Sequence, residues 1–285
     1  MVLPTYNGAE NIEKAIKSVL NQSYRNLELI VVNDCSTDGT LDIILGFARI
    51  DSRVKIVNNE INKRLPRALN AGFKVASGDY WTWTSDDNTF HDNALQVMAD
   101  YLDQNEEVDL VYTDYSVKYM DGRLRNVENK PSPDALRYFN TIGACFLYRR
   151  QLAERIGEYD PSMFLAEDYE FWIRAYLNGY LHHLSENLYD YGWHDKSLTS
   201  TRKSEIRHQT FLAKEKHFSE LYARCYTKED QIKFLSEMLS LLDDYVETKC
   251  KRKEYYKMNK AFAIQDMKTR LFGVVSRGLK LMNKD

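Results

Sequence analysis

Short apolar runs and segments with helical apolar spacing alternate through the first two hundred residues. Residues 27–33 form a mostly apolar, β-branched run that is typical of a buried parallel strand, and helical spacing over residues 12–20 precedes it. Further along, the pattern predicts helices at 40–50, 66–76 and 91–105, and strands at 54–57, 79–85, 108–115 and 188–193. Such alternation predicts an α/β fold with an open, mostly parallel central sheet flanked by helices.

This fold class also predicts where a ligand binds. Open parallel sheets bind ligands beyond the carboxyl ends of their strands. The loops that follow Leu3, Asn33 and Ser85 are therefore the candidate site.

The pattern changes near residue 200. All five prolines and ten of the twelve glycines lie before it, so the remainder is expected to be a mostly helical extension over residues 201–285. Two apolar stripes support helices there. The first consists of Ile232, Leu235, Met238, Leu239, Leu242 and Val246, and the second of Ile264, Met267, Leu271, Val275, Leu279 and Met282.

The net charge of −3 is an average over two different regions. Residues 1–200 hold 20 Lys and Arg against 30 Asp and Glu, whereas residues 246–285 hold 11 against 4. The second stripe faces away from four cations, Arg270, Arg277, Lys280 and Lys284. A basic amphipathic helix suits peripheral contact with an anionic membrane, and it equally suits packing on the acidic body or self-association. No nucleic-acid-binding motif accompanies the charge, so nucleic acid is not an expected partner.

The remaining composition indicates a cytoplasmic protein, and the basic end of the chain also suits a place at the inner face of the cell membrane. No apolar run of about 18 residues predicts a transmembrane helix, and the first residues lack the basic and apolar regions of a signal peptide. The four cysteines have no metal-ligand spacing and are expected to be free thiols.

Acidic residues at the predicted strand ends carry the candidate chemistry. Asp86 and Asp87 end a strand, where one carboxylate can face a ribose and the other a divalent metal; the alternative is a helix cap. Asp34 follows the 27–33 strand and can accept a hydrogen bond from a nucleobase, or it can turn its own loop. Tyr6 can serve as an aromatic platform for a base.

Two later segments supply further candidates. Glu167 and Asp168 open a predicted helix, where acids usually interact with the helix dipole, but one near a bound sugar can deprotonate a hydroxyl. His194 follows an aromatic strand and is either an ordinary packed or exposed histidine, or a metal ligand or phosphate donor.

The order of these motifs closely resembles that of family 2 glycosyltransferases. The matching segments are PTYN at 4–7, SVLNQSY at 18–24, ELIVVNDCSTDGT at 28–40, LPRALNAG at 65–72 after Asn62, SDD at 85–87, AEDYEFW at 166–172 and YGWH at 191–194. The resemblance covers residues 1 to about 200, and it is specific for the family rather than for a substrate.

The resemblance implies a GT-A fold and an inverting transfer from a nucleotide sugar, most often a UDP-sugar, with Mn²⁺ or Mg²⁺ as cofactor. It implies a nucleotide-sugar half at about 1–115 and an acceptor half at 116–200, with a glycan or lipid-linked acceptor in bacterial surface polysaccharide or glycoconjugate synthesis. Asp168 matches the catalytic base, and Asp87 and His194 match metal-binding positions. The implied nucleotide-sugar-binding residues are Pro4, Thr5, Tyr6, Asp34, Arg64, Asn70, Asp86 and Glu167.

The sequence departs from the family pattern at three places. Only Met1, Val2 and Leu3 precede the first motif, where a longer apolar run is usual. Arg64 stands where glycine is common, so it either reaches the diphosphate or reshapes the loop. Gly192 replaces an arginine that is common two residues before the late histidine, which weakens the assignment of His194.

Two other functions compete with an active transferase. One is a catalytically silent protein that binds sugar nucleotides or acts as a scaffold on the same fold. The other is a nucleotidyltransferase, which would require a phosphate loop rich in glycine and basic residues that residues 4–8 do not provide.

Overall fold

The computed structural model describes residues 1–242 and 245–267, and the chain divides after Lys203 into two compact units. The strands of the first unit are β1 (Val2–Thr5), β2 (Leu29–Asn33), β3 (Val54–Asn58), β4 (Tyr80–Trp81), β5 (Thr89–Phe90), β6 (Leu110–Tyr119), β7 (Leu124–Glu128), β8 (Phe146–Arg149) and β9 (Leu181–Trp193). Its helices are α1 (Ile12–Leu20), α2 (Thr40–Ile50), α3 (Arg64–Phe73), α4 (Ala94–Gln104), α5 (Arg150–Ile156), α6 (Glu167–Asn178) and α7 (Leu198–Thr201).

The strands form a parallel part and a mixed part. β1, β2 and β3 pair in parallel, in that order. The second sheet has the order β4-β8-β6-β9-β5, in which only β6 and β9 are parallel, and β7 pairs with β6. β6 and β7 are antiparallel because the connection of four residues between them, with Gly122 at a φ of 87°, is too short for a parallel crossover.

The strand predicted at 79–85 is shared between the two sheets. Its first part is β4, which pairs with β8, and its second part runs beside β1. The backbone N–H of Val2 donates to Thr82 O (3.0 Å), and the N–H of Thr84 donates to Val2 O (3.1 Å). This segment therefore delivers the following Asp86 and Asp87 to the carboxyl end of β1.

Helices cover both faces of the parallel strands, as the sequence pattern predicts. On one face, Leu3 and Val31 belong to a buried cluster with side chains of α1, α2 and α4. On the other face, α3 approaches the strands through Gly72, where an added Cβ would lie 2.5 Å from Val2 Cγ1. Side chains alternate across a strand, so successive residues of β1 and β2 are buried on opposite faces.

The second unit is helical over its described residues. It contains α8 (Lys203–Lys216), α9 (Phe218–Ala223), α10 (Lys228–Ser240) and α11 (Tyr245–Met258), followed by a helical segment at 260–267. Within the first predicted stripe, Leu235, Met238, Leu239 and Leu242 are buried. Of the second stripe, Ile264 and Met267 are exposed, and the rest of it lies beyond the described residues together with the four cations assigned to its polar face.

Two further observations bear on the predicted class of protein. All four cysteines are free thiols, as predicted. Among the described helices, none combines the length and the apolar character that crossing a membrane requires.

Replacement by alanine should have opposite effects on stability at two helical glycines, Gly72 in α3 and Gly46 in α2. Gly72→Ala places a methyl group against Val2 and Val32 and should destabilise the protein by about 1–3 kcal/mol. Gly46→Ala in α2 meets no atom within 4 Å and should stabilise it by about 0.5–1 kcal/mol, because alanine favours the helix. Urea unfolding of both variants measures the difference, and equal effects would contradict the packing of α3.

Candidate active site

Asp34 organises the loop that follows β3. Its buried carboxylate accepts hydrogen bonds from Asn59 Nδ2 (2.8 Å), from the backbone N–H of Lys63 (3.0 Å) and from that of Arg64 (2.9 Å). Its own N–H donates to Thr5 O (2.9 Å). Asp34 therefore holds a neighbouring loop rather than only its own. The N–H of Lys63 is shared between the two carboxylate oxygens, so each oxygen already accepts two hydrogen bonds, and a base N–H would replace one half of this shared bond.

The backbone conformation of Arg64 explains why glycine is common at this position in the family that the sequence resembles. Arg64 has a φ of 65°, in the left-handed region that favours glycine, and this conformation aims its N–H at Asp34. The exposed guanidinium lies 5.2 Å from the ring centroid of Phe164. Arg64 thus connects the loop held by Asp34 with the loop that precedes α6.

Asp86 lies against the end of β1. Thr5 Oγ1 donates a hydrogen bond to Asp86 Oδ2, and an added Cβ on Gly8 would lie 2.1 Å from the same oxygen. Glycine at position 8 is therefore required for this close approach. Burial raises the pKa of Asp86 to about 6, against the hydrogen bond from Thr5, which lowers it.

Asp87 and His194 come together from distant parts of the chain. His194 Nε2 lies 3.1 Å from Asp87 Oδ2. The strand β9 reaches this place because Gly192 donates its N–H to Asn88 Oδ1 (2.8 Å). An added Cβ on Gly192 would lie 2.3 Å from the carbonyl oxygen of Asp87, so the glycine that replaces the expected arginine allows the pair to form.

The helix-cap interpretation of Asp86 and Asp87 is wrong. The next helix, α4, begins at Ala94, its N-cap is Asn93, and no side chain caps it. Residues 86 and 87 instead form a turn before β5. Their carboxylates are consequently available for the site.

One atom of the Asp87–His194 pair is suited to bind a divalent cation. Asp87 Oδ1 is buried and has no hydrogen-bond partner, although buried carboxylate oxygens are normally satisfied. No cluster of three or more His, Cys, Asp and Glu suited to a metal occurs within residues 1–242 and 245–267. Asp87 and His194 can therefore supply two ligands at most, and Mg²⁺ or Mn²⁺ commonly fills its other positions with water and substrate phosphates.

The first turn of α6 contains three acids with different environments. Glu170 is fully buried and forms an ion pair with Arg174 Nη2 (2.8 Å), so it stabilises the fold. Glu167 is buried and accepts a hydrogen bond from the N–H of Leu165 (2.6 Å). Asp168 is partly exposed and accepts hydrogen bonds from Asn140 Nδ2 (2.8 Å) and from the N–H of Tyr169 (2.7 Å).

Glu167 and Asp168 share their negative charge unequally. Burial, together with the charge of Asp168, raises the pKa of Glu167 to about 8. Burial also raises the pKa of Asp168, but its hydrogen bonds from Tyr169 and Asn140 favour the ionised form. The hydrogen bonds to Asp168 make it the acid of this pair whose environment favours the ionised form, whereas burial favours the neutral form of Glu167, a difference that suits acid–base chemistry.

The side chain of Tyr191 is affected by the charges of both Asp87 and Asp168. Burial raises the pKa of this tyrosine, and the charges of Asp87 and Asp168 raise it further. Both carboxylates therefore lie near one side chain of β9. An acid of the predicted metal-binding pair and the predicted base thus both act on one side chain of the first unit.

The remaining predicted residues occupy different positions relative to this site. The Tyr6 side chain is 52% exposed at the end of β1, whereas Pro4 is buried within the strand. Asn70 Nδ2 donates to Tyr159 O (2.8 Å), and its Oδ1 accepts from the Tyr159 N–H (3.0 Å). Asn70 therefore fixes the backbone of Tyr159, a supporting contact that its place in the motif does not reveal.

Sequence reasoning missed Asn59, Asn140 and the close approach at Gly8. The two asparagines stand in irregular segments, and each acts on an acid that is distant in the sequence. Neither has a periodic or motif signal. The glycine directly follows a recognised motif and is the only one of the three with a local signal.

Comparisons of the sequence point to one family. The family described as glycosyl transferase family 2 matches residues 1–166. TuaG of Bacillus subtilis (strain 168), named for teichuronic acid biosynthesis, is 28% identical over 222 residues, which are 75% of this chain and 86% of TuaG. A glycosyltransferase of Haemophilus influenzae is 27% identical over 220 residues, covering 72% of this chain and 68% of its own length.

Solved structures share the fold at low sequence identity. S. aureus TarS 1–349 in complex with UDP-GlcNAc has a TM-score of 0.60 at 19% identity, over 84% of this chain and 79% of that chain. This chain spans 53% of a longer TarS chain. The mannosyltransferase PcManGT from Pyrobaculum calidifontis, in complex with GDP-Man and Mn²⁺, has a TM-score of 0.61 at 16% identity, over 100% of this chain and 87% of that chain.

The raised pKa of Glu167 predicts a pH-dependent effect of Glu167→Gln on stability. The folded state penalises the charged form, so wild-type stability should fall relative to the variant as pH rises from 4.5 to about 8, by at most about 1.4 kcal/mol per pH unit. The glutamine can still accept the Leu165 hydrogen bond. Urea unfolding at pH 5, 7 and 9 measures the difference, and a constant difference would contradict the assignment.

Proposed function

The chain belongs to glycosyl transferase family 2 and is a glycosyltransferase with the GT-A fold, and we propose that it transfers a sugar from a UDP-sugar to an acceptor hydroxyl with inversion. The observation that carries the proposal is the contact of Asp87 with His194, in which the buried Asp87 Oδ1 has no hydrogen-bond partner. A one-step displacement requires a single base, and the partly exposed carboxylate of Asp168 is suited to this role.

Asp168 would act as the general base. Its carboxylate would accept the proton of the acceptor hydroxyl while that oxygen bonds to the anomeric carbon and the bond to the nucleoside diphosphate breaks. The two hydrogen bonds to Asp168 fix the carboxylate and favour its ionised form, whereas the raised pKa of Glu167 favours the neutral acid. A single displacement inverts the anomeric configuration because attack and departure occur on opposite faces.

The donor would lie across the carboxyl ends of β1 and β2. Asp34 would accept a nucleobase N–H, the exposed ring of Tyr6 would lie against the base, and Asp86 would face the ribose. Arg64 would lie toward the diphosphate side, beside Phe164. The complexes of TarS with UDP-GlcNAc and UDP support a uridine donor, while the complex of PcManGT shows that another protein of this fold takes GDP-Man.

A divalent cation would complete the donor site. Asp87 and His194 would hold Mn²⁺ or Mg²⁺, and the orphaned Asp87 Oδ1 and the Mn²⁺ of PcManGT support this assignment. The cation would supply neutralisation of charge on the departing diphosphate.

The acceptor would be a glycan or a lipid-linked glycan in bacterial surface polysaccharide synthesis. The name of TuaG, which refers to teichuronic acid biosynthesis, supports this class. A lipid-linked acceptor would bring the enzyme to the inner face of the membrane. The basic segment 246–285 would then favour contact with anionic lipid, or it would favour self-association.

Replacement of the base separates an active transferase from a silent binding protein. Asp168→Asn should lower the release of UDP from UDP-GlcNAc, with water as acceptor, by about 10²–10⁴-fold. Binding should persist, because Asp168 lies on the acceptor side, and the thermal shift caused by UDP-GlcNAc and Mn²⁺ should be retained.

Asp92→Asn is the matched control, because Asp92 is an exposed aspartate outside the site. It should release UDP at the wild-type rate. Unchanged UDP release by Asp168→Asn would remove Asp168 from the role of base. A wild-type protein that binds UDP-GlcNAc without releasing UDP would favour the silent protein.

A further inference from the structure

Asn140 lies in an irregular connection between a short 3₁₀ turn (Pro133–Arg137) and β8, and it reaches the first turn of α6. Its Nδ2 donates a hydrogen bond of 2.8 Å to Asp168 Oδ2. The other oxygen, Oδ1, is held by the adjacent backbone N–H of Tyr169. Among the described residues, Asn140 is thus the only side chain that donates a hydrogen bond to this carboxylate.

The other half of the Asn140 amide has no partner. Asn140 Oδ1 is buried without a hydrogen bond, as is Asn187 Oδ1. Asn70, in contrast, uses both halves of its amide to hold the backbone of Tyr159. Within the described part of the chain, the hydrogen bond to Asp168 is therefore the single polar contact of the Asn140 side chain.

The direction of this hydrogen bond selects one protonation state of Asp168. An ionised carboxylate can only accept hydrogen bonds, so the amide N–H is the half of Asn140 that fits it. A donor of this kind favours the charged form and opposes the effect of burial, which favours the neutral acid. No ion pair between Asp168 and a cation occurs within the described part of the chain, so this compensation depends on hydrogen bonds.

The ionisable groups around Asp168 do not supply the same compensation. Burial raises the pKa of each of them, and the charge of Asp168 raises it further, so they are neutral near pH 7. These groups are Glu167 on the same helix, Tyr115 on β6, Tyr159 in the loop before α6 and Tyr191 on β9. Lys130 contacts one of these groups, with its Nζ 5.0 Å from the ring centroid of Tyr115, and it forms no ion pair with Asp168.

We propose that Asn140 is a positioning residue of the transfer reaction, which holds Asp168 ionised and fixes the orientation of its carboxylate toward the acceptor. This inference rests on the proposed role of Asp168 as the base. It adds a contact from a loop that lies outside the recognised motifs. Asn140 acts through Asp168 and has no predicted contact with the donor.

The test compares Asn140→Ala and Asn140→Asp with the wild type in the full-length chain. The alanine variant removes the donor, and the nearly isosteric aspartate variant replaces it with an acid. Three quantities are measured: the pH dependence of UDP release from UDP-GlcNAc with Mn²⁺, the dissociation constant of UDP, and the titration of the Asp168 carboxyl carbon by ¹³C NMR, assigned with Asp168→Asn.

In the alanine variant, the acidic limb of the rate profile and the Asp168 titration should both move upward by about one pH unit. At pH values below the midpoint of this limb, the rate of UDP release should fall by about tenfold. The aspartate variant should show a larger shift, because a second acid beside Asp168 disfavours its ionisation. The dissociation constant of UDP should change by less than about twofold in both variants, since Asn140 acts on the acceptor side.

Asn93→Ala serves as the matched control, because Asn93 is exposed and makes no side-chain cap to α4. It should leave the acidic limb, the titration and the rate unchanged. An active wild type whose limb and titration stay in place in both Asn140 variants would overturn the role of Asn140 while leaving the proposed function intact. Absence of UDP release from the wild type would instead contradict the proposed function, and with it any role of Asn140 in transfer.

Discussion

Burial of carboxylates at one edge of the sheet is the constraint on which this site depends. An ionised carboxylate removed from water is unfavourable unless hydrogen bonds, a partner charge or a proton compensates it. The chain compensates each acid differently. Asp34 accepts hydrogen bonds from three N–H groups, and Asp86 accepts one from the hydroxyl of Thr5. Asp87 lies beside His194, and burial favours the neutral form of Glu167. Asp168 accepts hydrogen bonds from the Asn140 amide and from the backbone N–H of Tyr169.

The backbone around these acids is shaped by the same requirement. The non-glycine residues with positive φ in the described chain are Asn7, Cys35, Arg64 and Leu165. Each lies in a loop that contacts or precedes one of the buried acids, and Gly8 and Gly192 admit close approaches that a side chain would block. Unfavourable backbone conformations that cluster in this way are typical of functional sites, where the surrounding fold enforces them.

Local patterns made much of the fold predictable. The helix predicted at 40–50 is α2 with the same bounds, because the pattern that predicts it is local. The strand predicted at 79–85 is divided between two sheets, since pairing partners are set by long-range contacts with β1 and β8. Likewise, the sequence places Asp168 and Glu170 in one acidic turn. The partner of Glu170, Arg174, is four residues away on the same helix and is a local signal, but the partner of Asp168, Asn140, is 28 residues away and has none.

The central claim is that this acidic edge is completed by a nucleoside diphosphate together with a divalent cation. Calorimetric titration of UDP into the wild type and Asp87→Asn, each with and without Mn²⁺, tests it most directly. The account predicts that Mn²⁺ strengthens UDP binding to the wild type by at least about tenfold, or about 1.4 kcal/mol, and that Asp87→Asn loses this gain but keeps the metal-free affinity. Equal UDP affinity of the wild type with and without Mn²⁺, or a full response of Asp87→Asn, would contradict it.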